Sequence, residues 1–149
     1  MSIKLSLEKS IELYKKLYLT RRCEEYIIKL YPDNKMRCPM HMSFGQEFAS
    51  VGVCSALNGQ ANVFGSYRSH AAFLAQTGNT DLFFAELYGR ITGSGEGKGG
   101  SMHLTSPEEG FLLSSGIVAT QIPIAVDKFA GRKYLRMRCV IDKKITPVI

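Results

Sequence analysis

The sequence predicts an α/β fold that is rich in helix and has a sheet barely begun. Three observations point there. Apolar residues recur at helical spacing through a long amino-terminal run and several shorter ones. Asn and Gly stand at the ends of those shorter runs, where helices stop. Only two short stretches read as extended chain, too few for a sandwich or barrel.

The elements follow in order. Leu7, Ile11, Tyr14, Leu17, Tyr18, Cys23, Tyr26, Ile27 and Leu30 lie on one helical period, so a helix is expected from Leu7 to Tyr31. Ser6 is its expected N-cap, Glu8 suits the first turn, and Pro32 stops it. A second helix is expected from Gln46 to Leu57, closed by Asn58-Gly59. Asn62 to Tyr67 reads as extended. Short helices are expected over His70–Gln76 and Asp81–Tyr88, followed by Gly78 and Gly89, with Thr80 able to cap the second. Arg90 to Ser115 is rich in Gly and Ser without regular period and reads as a loop of about 25 residues, long enough to suggest function. A helix is expected from about Ile117 to Phe129, with Pro123 tolerable only in its first turns. Tyr134 to Ile141 alternates apolar Leu135, Met137 and Cys139 with Arg136 and Arg138, as a strand does.

The 149 residues amount to about one domain, and 45% apolar with 21% charged residues is ordinary for a globular chain. No run approaches the ~18 apolar residues of a membrane helix, and the start MSIKLSLEKS has no secretory pattern. A cytoplasmic protein is therefore expected. Its four cysteines, with no Cys-x-x-Cys pair, are expected to be reduced and mostly buried. Residues 1–127 are electrically balanced, and the whole net charge of +6 falls in 128–149. That basic end reads as a solvated strand face plus a tail rather than a nucleic-acid or membrane footprint, because aromatic residues are scarce in it.

Three features carry possible chemistry. His41, His70 and His103 all stand in polar Gly- or Ser-containing motifs, where histidine serves as a proton donor or acceptor near neutral pH or simply holds structure. None has metal-ligand spacing to another. The run Gly93-Ser-Gly-Glu-Gly-Lys-Gly-Gly100 contains Gly-x-Gly-x-x-Gly, but it follows a helix rather than a strand, so a mobile loop is expected instead of a dinucleotide fingerprint. Arg68 follows Tyr67 at the end of an extended segment, a place that suits either a diphosphate contact or a surface ion pair.

Five motifs in one order resemble the alpha subunit of the thiamin-diphosphate-dependent 2-oxo acid dehydrogenases, the pyruvate, branched-chain and acetoin dehydrogenase family. They are His-x-x-x-Gly-Gln-Glu (41–47), Ser-Tyr-Arg-x-His (66–70), Glu-Leu-Tyr-Gly-Arg (86–90), Gly-Lys-Gly-Gly-Ser-Met-His (97–103) and Gly-Ile-Val-x-x-Gln-x-Pro-x-Ala (116–125). The resemblance implies that 1–127 is the amino-terminal part of a thiamin-diphosphate-binding fold with an incomplete parallel sheet, and that 128–149 is a basic divergent or truncated end. It implies diphosphate contacts from Tyr67 and Arg68, and an aminopyrimidine ring held by the backbone of Gly116 and Val118. His41 would lie by the active-site entrance and His103 near the cofactor.

The implied activity is oxidative decarboxylation of a 2-oxo acid with acyl transfer to a lipoyl-bearing acyltransferase. The implied cofactors are thiamin diphosphate and magnesium, and the implied assembly is an oligomer with a beta-type subunit. Relatives carry magnesium ligands in a Gly-Asp-Gly motif and on a later Asn. Here Asp142 stands near the first position beside Lys143 and Lys144 and without the glycines, so no metal ligand is assigned. A non-catalytic remnant or interaction module is the alternative.

Overall fold

The computed structural model describes residues 5–130. Helix α1 is Leu7–Leu30, capped as expected by the Ser6 hydroxyl, which accepts the Lys9 N–H at 3.2 Å. The chain then turns through a short 3-10 segment, Tyr31–Asp33, that carries Pro32 at its start. Helix α2 is Glu47–Leu57 and ends on Asn58 in the left-handed conformation. Strand β1 is Val63–Gly65, helix α3 His70–Thr77, helix α4 Thr80–Leu87 and strand β2 Phe111–Ser114. Residues 121–130 are helical.

Three details differ from the sequence reading. Asn79, not Thr80, caps α4: its side chain accepts the Leu82 N–H at 3.0 Å. The stretch 90–115 contains β2 and two 3-10 turns, Gly100–Met102 and Pro107–Glu109. A turn occupies 118–120, so the last helix starts at 121 and Pro123 falls in its first turn. The strand expected over Tyr134–Ile141, the basic end and Asp142 lie outside the described residues.

β1 and β2 pair in parallel, Val63 with Phe111 and Gly65 with Ser114, with an irregularity after Val63. Helices α3 and α4 and the Gly-rich segment form the crossover a parallel pair requires. Helices α1, α2 and α3 pack on one another, and α3 also packs on both strands. The main core gathers Ile27, Met36, Phe73, Phe83, Leu87, Leu104 and Phe111. Phe111 meets Phe73 edge to face at 5.2 Å, which fastens β2 to α3. Cys23 and Cys54 are buried free thiols, as expected, and Cys38 is half-buried. Burial, with Glu24 adding to it, pushes the Cys23 thiol up to about 11, far from thiolate reactivity.

Candidate functional site

Each of two segments singled out from the sequence leaves the carboxyl end of a strand. β1 ends at Gly65 and continues as Ser66-Tyr67-Arg68; β2 ends at Ser114 and continues as Ser115-Gly116-Ile117-Val118. The Ser115 N–H donates to the Gly65 carbonyl at 3.2 Å, so both exits stay together past the ladder. The space beyond the carboxyl ends of parallel strands is where open α/β sheets bind ligands.

The remaining candidates gather at the same end. The His41 ring meets Tyr67 edge to face at 5.2 Å. On the other flank of β2, the Ser114 hydroxyl accepts the Leu104 N–H at 2.7 Å and donates to the Met102 carbonyl at 3.0 Å, which sets His103 beside the strand end. Gly116 faces that histidine closely: a Cβ added to it would lie 3.3 Å from His103 Nε2 and 3.4 Å from Met102 Sδ. The fourth connection is the His41 N–H, which donates to Ser101 Oγ at 3.1 Å. Tyr67, His41, His103 and Gly116 thus form one connected set. Val118 is exposed in the turn that follows.

Arg68 is exposed, and its guanidinium donates to the Met42 carbonyl at 2.6 Å while lying 5.7 Å from the Tyr67 ring. No carboxylate pairs with it among the described residues, so of the two readings open from sequence the ion pair is not formed there. An always-charged planar fork with donors beyond its one bond to Met42, beside an aromatic ring, suits a diphosphate. Among the described residues the His41 Nδ1 is buried without a hydrogen-bond partner, a position that a bound group could satisfy. For magnesium, no group of three or more His, Cys, Asp or Glu stands together among the described residues.

The Gly-rich run has a different role from the one its composition suggests. Glu86, 1% exposed near the end of α4, accepts four backbone N–H groups: Gly95 at 2.7 Å and Gly97 at 2.9 Å on one oxygen, Gly99 at 2.7 Å and Gly100 at 2.8 Å on the other. The glycines cradle an anion, but the anion is the protein's own carboxylate. Burial raises the Glu86 carboxyl, and the amides of Gly95, Gly100, Gly97 and Gly99 outweigh it, so its pKa is lowered. The segment leading to His103 is therefore pinned at four points. Composition could not reveal this, although the Glu86-to-Gly100 order lay in the motifs.

His70 opens α3, where the helix was expected to start. It is wholly buried, between Glu24 Oε1 at 3.2 Å and Ser101 Oγ at 2.6 Å. Glu47 of the Gly-Gln-Glu motif is taken up by Arg21, which reaches its two oxygens at 2.6 and 3.1 Å; that hydrogen bond, against desolvation, holds the carboxyl below its ordinary range.

The chain is similar to known proteins over most of its length. A family model described as the dehydrogenase E1 component matches residues 15–141. Similar curated proteins include the pyruvate dehydrogenase E1 component subunit alpha of Zymomonas mobilis, 37% identical over 85% of this chain and 36% of that protein. The mitochondrial counterpart of Pisum sativum is 34% identical over 91% of this chain and 34% of that protein. That of Saccharomyces cerevisiae is 36% identical over 83% of this chain and 29% of that protein. The chain spans about a third of the length of the curated relatives it matches.

Proposed function

The chain belongs to the dehydrogenase E1 component family, and from that premise we propose that its described residues form the amino-terminal share of a thiamin-diphosphate site in an alpha-type subunit. The observation that carries this reading is the convergence of the Tyr67-Arg68 and Gly116–Val118 segments at the carboxyl ends of two adjacent parallel strands.

Arg68 binds the diphosphate through its unpaired guanidinium, with Tyr67 beside it. Gly116 leaves its backbone bare where a side chain would crowd His103, so a flat ring can approach the main chain from Gly116 to Val118. His41 and His103 hold or move protons beside the reacting centre. The cofactor, when bound, supplies the nucleophilic carbon and the electron sink for loss of carbon dioxide. Magnesium would take ligands from outside the described residues. The reaction we assign is oxidative decarboxylation of a 2-oxo acid, in company with a beta-type subunit and with a lipoyl-bearing acyltransferase as acyl acceptor.

Titration calorimetry with thiamin diphosphate and magnesium, joined to carbon dioxide release from pyruvate and branched-chain 2-oxo acids, tests the reading. We expect cofactor binding, and turnover only when a beta-type partner is added. No binding and no turnover with that partner present would overturn it.

A further inference from the structure

The three side chains of the buried chain Glu24–His70–Ser101 come from distant parts of the fold: the interior of α1, the first residue of α3 and the 3-10 turn Gly100–Met102. None is more than 1% exposed. None sits at the surface where a cofactor would lie, yet the last of them holds the main chain of His41.

The proton count fixes the direction of the chain. Ser101 Oγ accepts the His41 N–H at 3.1 Å, and its own single proton has His70 Nε2, at 2.6 Å, as its acceptor. His70 Nε2 is then the lone-pair nitrogen, and Nδ1 carries the hydrogen. That hydrogen faces Glu24 Oε1 at 3.2 Å, an oxygen that also accepts the Ser43 N–H at 2.9 Å. The opposite tautomer would aim the Nδ1 lone pair at a carboxylate oxygen and leave the serine proton without an acceptor. A doubly protonated ring would strand the same serine proton. Only the neutral Nδ1–H form satisfies every donor in a buried network, where an unmade bond is costly.

Resting on the site reading above, we propose that Glu24, His70 and Ser101 are positioning residues for His41. The carboxylate sets the tautomer of His70, that tautomer orients the Ser101 hydroxyl, and the hydroxyl ties the main chain at His41 to the turn that leads into His103. Among the described residues no hydrogen bond holds the His41 ring: its Nδ1 is buried without a partner there, and the ring meets Tyr67 edge to face. Its place in the site is therefore set through its backbone. Met42, whose carbonyl receives Arg68, and Ser43, which bonds both Glu24 and the Arg68 carbonyl at 3.3 Å, extend the same control to the diphosphate residue.

The test is nitrogen-detected NMR of the full chain, followed by titration with thiamin diphosphate and magnesium in the presence of the beta-type partner. In the unsubstituted protein, His70 is expected to show a protonated Nδ1 and a bare Nε2; a protonated Nε2 would overturn the proposal without any variant. Ser101→Ala is expected to shift the His41 and His103 ring signals and to weaken thiamin diphosphate binding about tenfold. Glu24→Leu should do the same. Glu24→Gln keeps an oxygen acceptor and should leave both readouts near the original values, a rescue that a merely space-filling role would not require. Unmoved His41 and His103 signals in a folded Ser101→Ala protein would sink the positioning role. If those signals move as expected but the unsubstituted protein binds no thiamin diphosphate, positioning stands and the site reading falls.

Discussion

Two side chains divide the anion chemistry of this molecule between them, and each makes a prediction. Glu86 satisfies four amides from within, so the glycines are spent on the protein's own carboxylate. In Glu86→Gln one oxygen becomes an NH2 group that faces two N–H donors. Leaving two donors unmade, at least one of them only part-buried, should cost about 1–4 kcal/mol in urea unfolding. The pH response follows from the lowered carboxyl. A group whose folded pKa lies below its unfolded value stabilises above the unfolded value, about 4.3, and that contribution is lost as pH falls through the folded value. The original protein should therefore lose stability on acidification through that window more steeply than Glu86→Gln; parallel slopes would show that Glu86 does not titrate as argued. Arg68 is the complementary case: its guanidinium donates to the Met42 carbonyl and has no carboxylate partner among the described residues, which is why we propose that it meets an outside anion. Arg68→Ala should weaken thiamin diphosphate by about 1.5–3 kcal/mol, roughly tenfold to a hundredfold, and by more than any single histidine change. Arg68→Lys should fall between, because a point charge cannot bond bidentately. Equal calorimetric affinities for Arg68→Ala and the original protein would remove Arg68 from the site.

At the scale of elements, the site depends on the close approach of β1, α3 and β2. A Cβ on Gly65 would run into the Ser69 hydroxyl, 2.8 Å from Ser69 Cβ and 3.1 Å from Phe111 Cζ. Gly65→Ala should therefore cost about 1–3 kcal/mol of stability by overpacking, and it should disturb Tyr67 and Arg68, which leave the same strand end. An unchanged thermal midpoint would show that the strand ends have slack. The helices were legible because their signals are local: Ser6 as cap, Asn58 and Gly78 as left-handed ends, and apolar residues at helical spacing. What stayed hidden was set by contacts distant in sequence. β2 is four residues long, and its place is defined by pairing with β1 and by Phe73, neither visible in Phe-Leu-Leu-Ser itself. The Glu86 cradle joins residues 9 to 14 positions apart, and the Glu24–His70–Ser101 chain spans 46 and 31. Motif order brought the site residues into view, and the parallel strand ends explain why those motifs converge.

At the scale of the whole molecule, the described residues present two apolar stripes to water. On α1, Leu7, Ile11, Tyr14 and Tyr18 recur at spacings of four, three and four residues, with exposures of 77%, 45%, 66% and 56%. On the helical residues 121–130, Ile122, Val126 and Phe129 recur at four and three, at 60%, 61% and 73% exposed. Residues at those spacings share one helix face, and contiguous apolar faces of this kind mark contacts with other chains or other parts of a chain. The second stripe follows closely on Gly116–Val118, so whatever covers it also approaches the segment we propose for the cofactor. The strand expected over Tyr134–Ile141 lies outside the described residues, so the expectation of association rests on these stripes. The chain, 16.6 kDa as a monomer, should show a mass that rises with concentration in light scattering. Placing a charge on the stripe, as in Val126→Lys or Phe129→Glu, should return it toward the monomer and weaken binding of a beta-type partner, while Lys35→Glu, exposed and outside both stripes, should do neither. A compact monomer at every concentration, with partner binding insensitive to Val126→Lys, would mean that these stripes are tolerated surface and that assembly, if it occurs, uses another face.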